Sequence, residues 1–143
     1  MQASTPKLVR DLMTKEVVTL QRNEQLSIAD QVMTLGRIRH LPVLGEEGEL
    51  VGVVSRRDLL HGALASVLGY GSKGRHTLMN TILVKEVMTN DPMFIAPDTP
   101  LGEAARIMSK NKIGCLPVTQ GDALVGILTE GDFVALHAAE DSC

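Results

Sequence analysis

The chain repeats itself. Displaced by 75 positions, Val9-Arg10-Asp11-Leu12-Met13-Thr14 falls on Val84-Lys85-Glu86-Val87-Met88-Thr89. On the same displacement Leu26, Ala29 and Met33 meet Leu101, Ala104 and Met108, and Leu41-Pro42-Val43 meets Leu116-Pro117-Val118. Ten of the 35 pairs between residues 9 and 43 are identical. One residue is then dropped at the Gly45–Gly48 turn, and Leu50-Val51-Gly52-Val53-Val54-Ser55-Arg56-Arg57-Asp58 meets Leu124-Val125-Gly126-Ile127-Leu128-Thr129-Glu130-Gly131-Asp132. Repetition on this scale confines the chain to two copies of one supersecondary unit. A unit of ~50–60 residues buries too little surface to be comfortable alone. The expected folding unit is therefore the pair, related by a pseudo-twofold axis with its small sheets packed together.

Within one copy the periodicities predict a short strand, a helix, two strands and a second helix. Thr19-Leu20 and Phe94-Ile95 suit the short strand. Thr99-Pro100 reads as a helix start, Thr at the N-cap and Pro at the first helical position. Leu101, Ala104, Ala105 and Met108 follow at helical spacing, as do Leu26, Ala29, Val32 and Met33 in the first copy. His40–Leu44 and Leu50–Val54 read as a hairpin across a charged turn, and Cys115–Thr119 begins its counterpart. Ser55 or Thr129 then opens the second helix, which in the first copy should run on through His61–Leu68. The fold class expected is α/β (α+β), as two β-α-β-β-α repeats: 8–68, a linker at 69–83, and 84–138.

Composition narrows the function classes. Apolar residues make up 44% of the 143 residues, but there is no Trp, one Tyr and two Phe, so the core must be aliphatic. The net charge of −3 offers no global basic surplus for phosphate backbones, and there are too few aromatics to stack bases, so nucleic acid is not the expected partner. Cys115 and Cys143 form no CxxC and have no metal spacing with a histidine, which predicts no metal and a reduced, cytoplasmic chain. The first ten residues lack the apolar stretch of a signal peptide, and no apolar run reaches the ~20 residues of a membrane helix.

Three signatures, each present twice and in order, resemble the CBS domain family in its tandem form, the Bateman module. They are Asp11-Leu12-Met13-Thr14 with Glu86-Val87-Met88-Thr89; Arg39-His40-Leu41-Pro42-Val43 with Gly114-Cys115-Leu116-Pro117-Val118; and Gly52 to Asp58 with Gly126 to Asp132. The resemblance covers about residues 8 to 137 and implies a stand-alone, non-catalytic regulatory pair. It further implies clefts between the repeats holding AMP, ADP, ATP or S-adenosylmethionine, with no catalytic cofactor. A homodimer acting on an unknown regulated protein, in energy sensing, is the expected setting. The alternative is a ligand-free scaffold dimer.

The candidate residues follow copy by copy. Ser55-x-x-Asp58 and Thr129-x-x-Asp132 stand at helix starts. Read plainly, each is a capping box, hydroxyl at the N-cap and carboxylate three residues on. The resemblance adds ribose recognition by Asp58 and Asp132, since a carboxylate can accept from two neighbouring hydroxyls, with Ser55 and Thr129 near the ribose or phosphate. Thr14, Val17, Val18, Arg39, His40, Leu41, Pro42 and Arg57 complete the first expected set. Thr89, Pro92, Met93, Lys112, Gly114, Cys115, Leu116 and Pro117 complete the second. The apolar members, taken alone, read as core; the resemblance sets them against an adenine. Arg37, Arg39, Arg56 and Arg57 make the first copy more basic than the second, and a guanidinium fork matches phosphate oxygens. The two sets should therefore differ in the ligand charge they prefer. Gly69-x-Gly71-x-x-Gly74 matches a dinucleotide-binding pattern but follows a helix where that motif needs a strand, and so reads as a linker. His40 and Cys115 hold equivalent places without the oxyanion site a thiolate enzyme requires.

Overall fold

The structure is a computed structural model and describes residues 6–61 and 80–141. The expected helical continuation over 62–68, the Gly69–Gly74 pattern and Cys143 lie outside these residues. The elements run α1 (Val9–Leu12), β1 (Leu20–Gln21), α2 (Leu26–Gly36), β2 (His40–Leu44), β3 (Leu50–Ser55) and α3 (56–61). They continue with α4 (Val84–Val87), β4 (Thr89–Asn90), α5 (Leu101–Asn111), β5 (Cys115–Gln120), β6 (Ala123–Thr129) and α6 (Glu130–Asp141). The expected helix, hairpin and second helix are present in both copies; the short strand forms at Leu20–Gln21 in the first, one residue later than expected, and is reduced to a single bridge at Ile95 in the second. The α1 and α4 turns and the β4 strand are additional.

The chain forms two compact units. One is continuous, Val18–Pro92; the other is discontinuous, Met1–Val17 with Met93–Cys143. In the continuous unit the sheet order is β1-β2-β3-β4. β1 runs parallel to β2, and the other pairs are antiparallel. In the discontinuous unit β5 and β6 form the hairpin, Ile95 bridges Val118 in parallel, and Thr14 bridges Ile127 antiparallel. Those bridges hold the places of β1 and β4. Both hairpins slip register at the same point, Val43/Leu44 and Val118/Thr119. Their turns place Gly48 and Gly121 at φ +84° and +63°, where a Cβ is unwelcome. The strand prolines are tolerated for a geometric reason. The Pro117 carbonyl accepts from the Ile95 N–H at 3.1 Å, so its ring nitrogen faces Ile95 rather than β6 and the hairpin loses no ladder bond.

The compact units cut the chain differently from the repeats. The leading segment of each repeat is built into the unit that carries the body of the other. Val9 lies in one core with Ile95, Leu101, Ala104, Met108, Leu116, Val118 and Leu128. Val84 lies in the other with Leu20, Leu26, Ala29, Met33, Leu41, Val43, Val54 and Leu59. Both cores are aliphatic, as the composition requires. Backbone pairing secures the arrangement: Leu26 N–H donates to Ile82 at 2.8 Å and Val84 N–H to Glu24 at 2.8 Å, while Leu101 N–H donates to Lys7 at 3.0 Å and Val9 N–H to Thr99 at 2.8 Å.

These bonds alter one expectation. α5 begins at Leu101 with Pro100 in the extended N-cap conformation and no side-chain cap, so Thr99 is not the cap residue. The first N–H of the helix is satisfied by the Lys7 carbonyl instead, which makes a capping hydroxyl unnecessary. α2 starts the same way at Gln25, which contributes no side-chain cap.

Candidate functional site

Strand alternation defines the candidate surface. Leu41, Val43 and Val54 point into the core of the continuous unit, so His40, Pro42, Val53 and Ser55 occupy the opposite face. The registers His40↔Ser55, Pro42↔Val53 and Val53↔Thr89 align them across β2, β3 and β4. In the discontinuous unit Leu116, Val118 and Leu128 are core. Cys115, Pro117, Ile127, Thr129 and Thr14 then share the other face through Cys115↔Thr129, Pro117↔Ile127 and Thr14↔Ile127. The middle of this face is withdrawn from solvent, Val53 being 8% and Ile127 6% exposed, while Thr14 and Thr89 at its edge are exposed.

Each face ends at a capped helix. Ser55 N–H donates to Asp58 Oδ2 at 2.8 Å, and Asp58 N–H donates back to Ser55 Oγ at 3.1 Å. Thr129 N–H donates to Asp132 Oδ2 at 2.8 Å, and its hydroxyl donates to the same oxygen at 3.3 Å. The capping box is therefore complete at Ser55, while at Thr129 the carboxylate half is formed and the hydroxyl turns to that same carboxylate. Oδ2 is the oxygen engaged in each case, and both aspartates are half-buried. The start of each helix is also tied to its hairpin, since Arg56 N–H donates to the Arg39 carbonyl at 2.8 Å and Glu130 N–H to that of Gly114 at 3.1 Å.

The expected residues sort by unit as follows. Val18, Arg39, His40, Leu41, Pro42, Ser55, Arg57 and Asp58 lie in the continuous unit together with Thr89 and Pro92. Met93, Lys112, Gly114, Cys115, Leu116, Pro117, Thr129 and Asp132 lie in the discontinuous unit together with Thr14 and Val17. Thr14 N–H donates to Ile127 at 2.9 Å and accepts from Ile127 N–H at 3.0 Å, which sets it two residues from Thr129 along β6. Thr89 pairs with Val53, two residues from Ser55. Each signature threonine thus joins the unit of the other copy's aspartate. Leu41 and Leu116 are fully buried core residues, so only their backbones face the candidate surface. Val18 and Met93 are exposed, while Val17 and Pro92 are half-buried. Lys112 is exposed at the end of α5 with φ +54°, the place that Arg37 holds at the end of α2 with the same φ.

Val53 and Ile127 were not among the expected residues, although period-two alternation across the hairpin is enough to find them once its register is known. Cys115 is buried and outside any disulfide. Among the described residues no group of three His, Cys, Asp or Glu side chains is placed to hold a metal ion, and no helix is long and apolar enough to cross a membrane.

The sequence profile of the CBS domain matches residues 9–64 and 84–138. Among solved structures, a putative acetoin utilization protein, AcuB, of Vibrio cholerae is 38% identical with a TM-score of 0.78, covering 93% of this chain and 91% of that one. The CBS domain pair of protein MJ0100, solved with 5′-methylthioadenosine and S-adenosyl-L-methionine, is 28% identical with a TM-score of 0.77, covering 95% and 100%. CBSX2, solved with AMP, is 27% identical with a TM-score of 0.76, covering 94% and 98%. Curated relatives differ widely in size, and the chain spans from 22% to 90% of their length.

Proposed function

Because this chain belongs to the CBS domain family and carries two of its domains in tandem, we propose that it is a non-catalytic regulatory module that binds an adenine nucleotide or an S-adenosylmethionine-type nucleoside. The observation that carries this reading is the duplicated arrangement of a buried sheet face, a threonine on that face and a helix start with a hydroxyl and a carboxylate. Similar pairs are solved with AMP and with 5′-methylthioadenosine and S-adenosyl-L-methionine.

In this reading Asp58 and Asp132 take the ribose hydroxyls. Ser55 with Thr89, and Thr129 with Thr14, line the path from ribose to phosphate. His40, Pro42 and Val53 in one unit, and Cys115, Pro117 and Ile127 in the other, face the base. Arg39, Arg57 and Lys112 supply positive charge, and the backbones of Leu41, Gly114 and Leu116 border the base. Val17, Val18, Pro92 and Met93 border the sets. Bound ligand shifts the population of conformations that a partner protein reads, by as much as its affinity differs between them. The cytoplasm is the expected compartment. A homodimer remains the expected assembly.

Thermal unfolding of the full chain with AMP, ADP, ATP, S-adenosylmethionine and 5′-methylthioadenosine tests the reading. A ligand at a hundred times its Kd adds about 2.7 kcal/mol, a rise of roughly 10 °C for a chain of this size. The rise should shrink on Asp58→Asn or Asp132→Asn, measured against each variant's own unliganded midpoint. No rise with any of the five ligands would refute the proposal in favour of a ligand-free scaffold.

A further inference from the structure

The two units carry different charge at equivalent places. In the continuous unit Arg37 ends α2, Arg39 precedes β2, and Arg56 and Arg57 open α3. The 2.8 Å hydrogen bond from Arg56 N–H to the Arg39 carbonyl brings the two segments together at the open end of the hairpin. All four side chains are exposed. Among the described residues none of them forms an ion pair; the pairs that exist join Arg10 to Asp98 and Arg22 to Glu46. The nearest carboxylate in sequence, Asp58, turns an oxygen to the Ser55 N–H. The corresponding places in the discontinuous unit hold Lys112, Gly114, Glu130 and Gly131, one positive charge matched by one negative.

Four positive charges without an ion-pair partner on two joined segments favour a multiply charged anion over a singly charged one. Resting on the nucleotide-binding reading above, we propose that the Val18–Pro92 unit takes a nucleoside di- or triphosphate. Its arginines hold the terminal phosphates, while the other unit takes a nucleoside with one phosphate or none. Guanidinium forks suit this task because their donors match pairs of phosphate oxygens. The four arginines decide which ligand binds where, and Asp58 and Asp132 serve the sugar in both units.

Calorimetry on the full chain separates the outcomes. The ligands are ATP, AMP, 5′-methylthioadenosine and inorganic triphosphate, at two salt concentrations. The wild type should bind one ATP per chain with at least a tenfold preference over AMP at that site, weakening as salt rises. Arg56→Gln with Arg57→Gln should lower ATP affinity roughly ten- to hundredfold and AMP affinity by a smaller factor, so that the preference for ATP falls. Those side chains are exposed, so the fold should not suffer. Glu130→Arg with Gly131→Arg should add a second ATP equivalent. A Cβ at Gly131 meets only Thr129 Oγ1, at 3.5 Å, so the new side chain has room.

An ATP preference unchanged in the double glutamine variant overturns the proposal, as does inorganic triphosphate binding as tightly as ATP. Absence of binding by every adenine compound overturns the nucleotide reading itself, which is a different result from binding without discrimination.

Discussion

Gly52 and Gly126 sit inside strands, where glycine is ordinarily a weakness. A Cβ at Gly52 would lie 2.5 Å from Met88 Sδ, 2.9 Å from the Thr89 carbonyl oxygen and 3.0 Å from Met88 Cγ. At Gly126 it would meet Met13 Sδ at 2.5 Å and the Thr14 carbonyl oxygen at 3.0 Å. The thioethers can swing aside, but the carbonyls belong to backbone paired with the same strand. To restore ordinary contact of 3.4 Å, the Thr14 segment must retreat by about 0.4 Å from hydrogen bonds of 2.9 and 3.0 Å that it shares with Ile127. Overpacking of this kind costs about 1–3 kcal/mol, and weakening two backbone bonds adds up to about 1 kcal/mol each. Reduced freedom of the unfolded chain returns about 0.4–1 kcal/mol. Gly52→Ala and Gly126→Ala should each destabilise by about 1–4 kcal/mol.

Urea unfolding followed by far-UV circular dichroism is the appropriate assay, because the chain has no tryptophan. Gly102→Ala is the control. It lies in α5, its Cβ would meet only Arg106 at 3.5 Å, and it should stabilise by about 0.5–1 kcal/mol. Adding Met13→Ala to Gly126→Ala should recover part of the loss through a favourable coupling above about 0.5 kcal/mol. If both strand variants matched the control, the close approach of the leading segments would not be what these glycines serve.

Val84→Ala removes two methyl groups from a fully buried position and should cost about 2–3 kcal/mol in the same assay, whereas Leu35→Ala, at 86% exposure, should change little. A fragment comprising residues 84–143 lacks Val9 and the Thr14 bridge; circular dichroism should show it unfolded, and a cooperative transition would contradict the exchange of leading segments. Lys112→Gly relieves a left-handed residue at the end of α5 and should raise stability by about 0.5–1 kcal/mol. Asp11 accepts from the Leu8 and Lys7 N–H groups, in that order of influence, which holds its carboxyl below the ordinary value of 3.8. Its contribution is complete above that value and is lost as pH falls through the lowered one. The stability gap between wild type and Asp11→Asn should therefore be flat near neutrality and close in acid, and a gap that widened in acid would contradict the assignment.

The repeat, the helical spacing of Leu26, Ala29 and Met33, the hairpin of His40–Leu44 with Leu50–Val54, and the helix starts at Ser55 and Thr129 were all legible, because each depends on contacts within a few residues. The aspartates of the candidate site were legible for the same reason, since a capping box closes over three positions. Core membership of Leu41 and Leu116 was the plain reading of their type, and it holds.

Partnership between distant segments was not legible. With two copies of one pattern, a strand such as Thr89–Asn90 fits the hairpin of either one equally well. Sequence alone determined that there are two such units, aliphatic inside, each with a capped acidic residue at a helix start. Only the tertiary structure decided that Val9 and Thr14 complete the unit of Asp132 while Val84 and Thr89 complete that of Asp58. That choice is made by long-range backbone hydrogen bonds and by the space left at two strand glycines, and no local propensity encodes either.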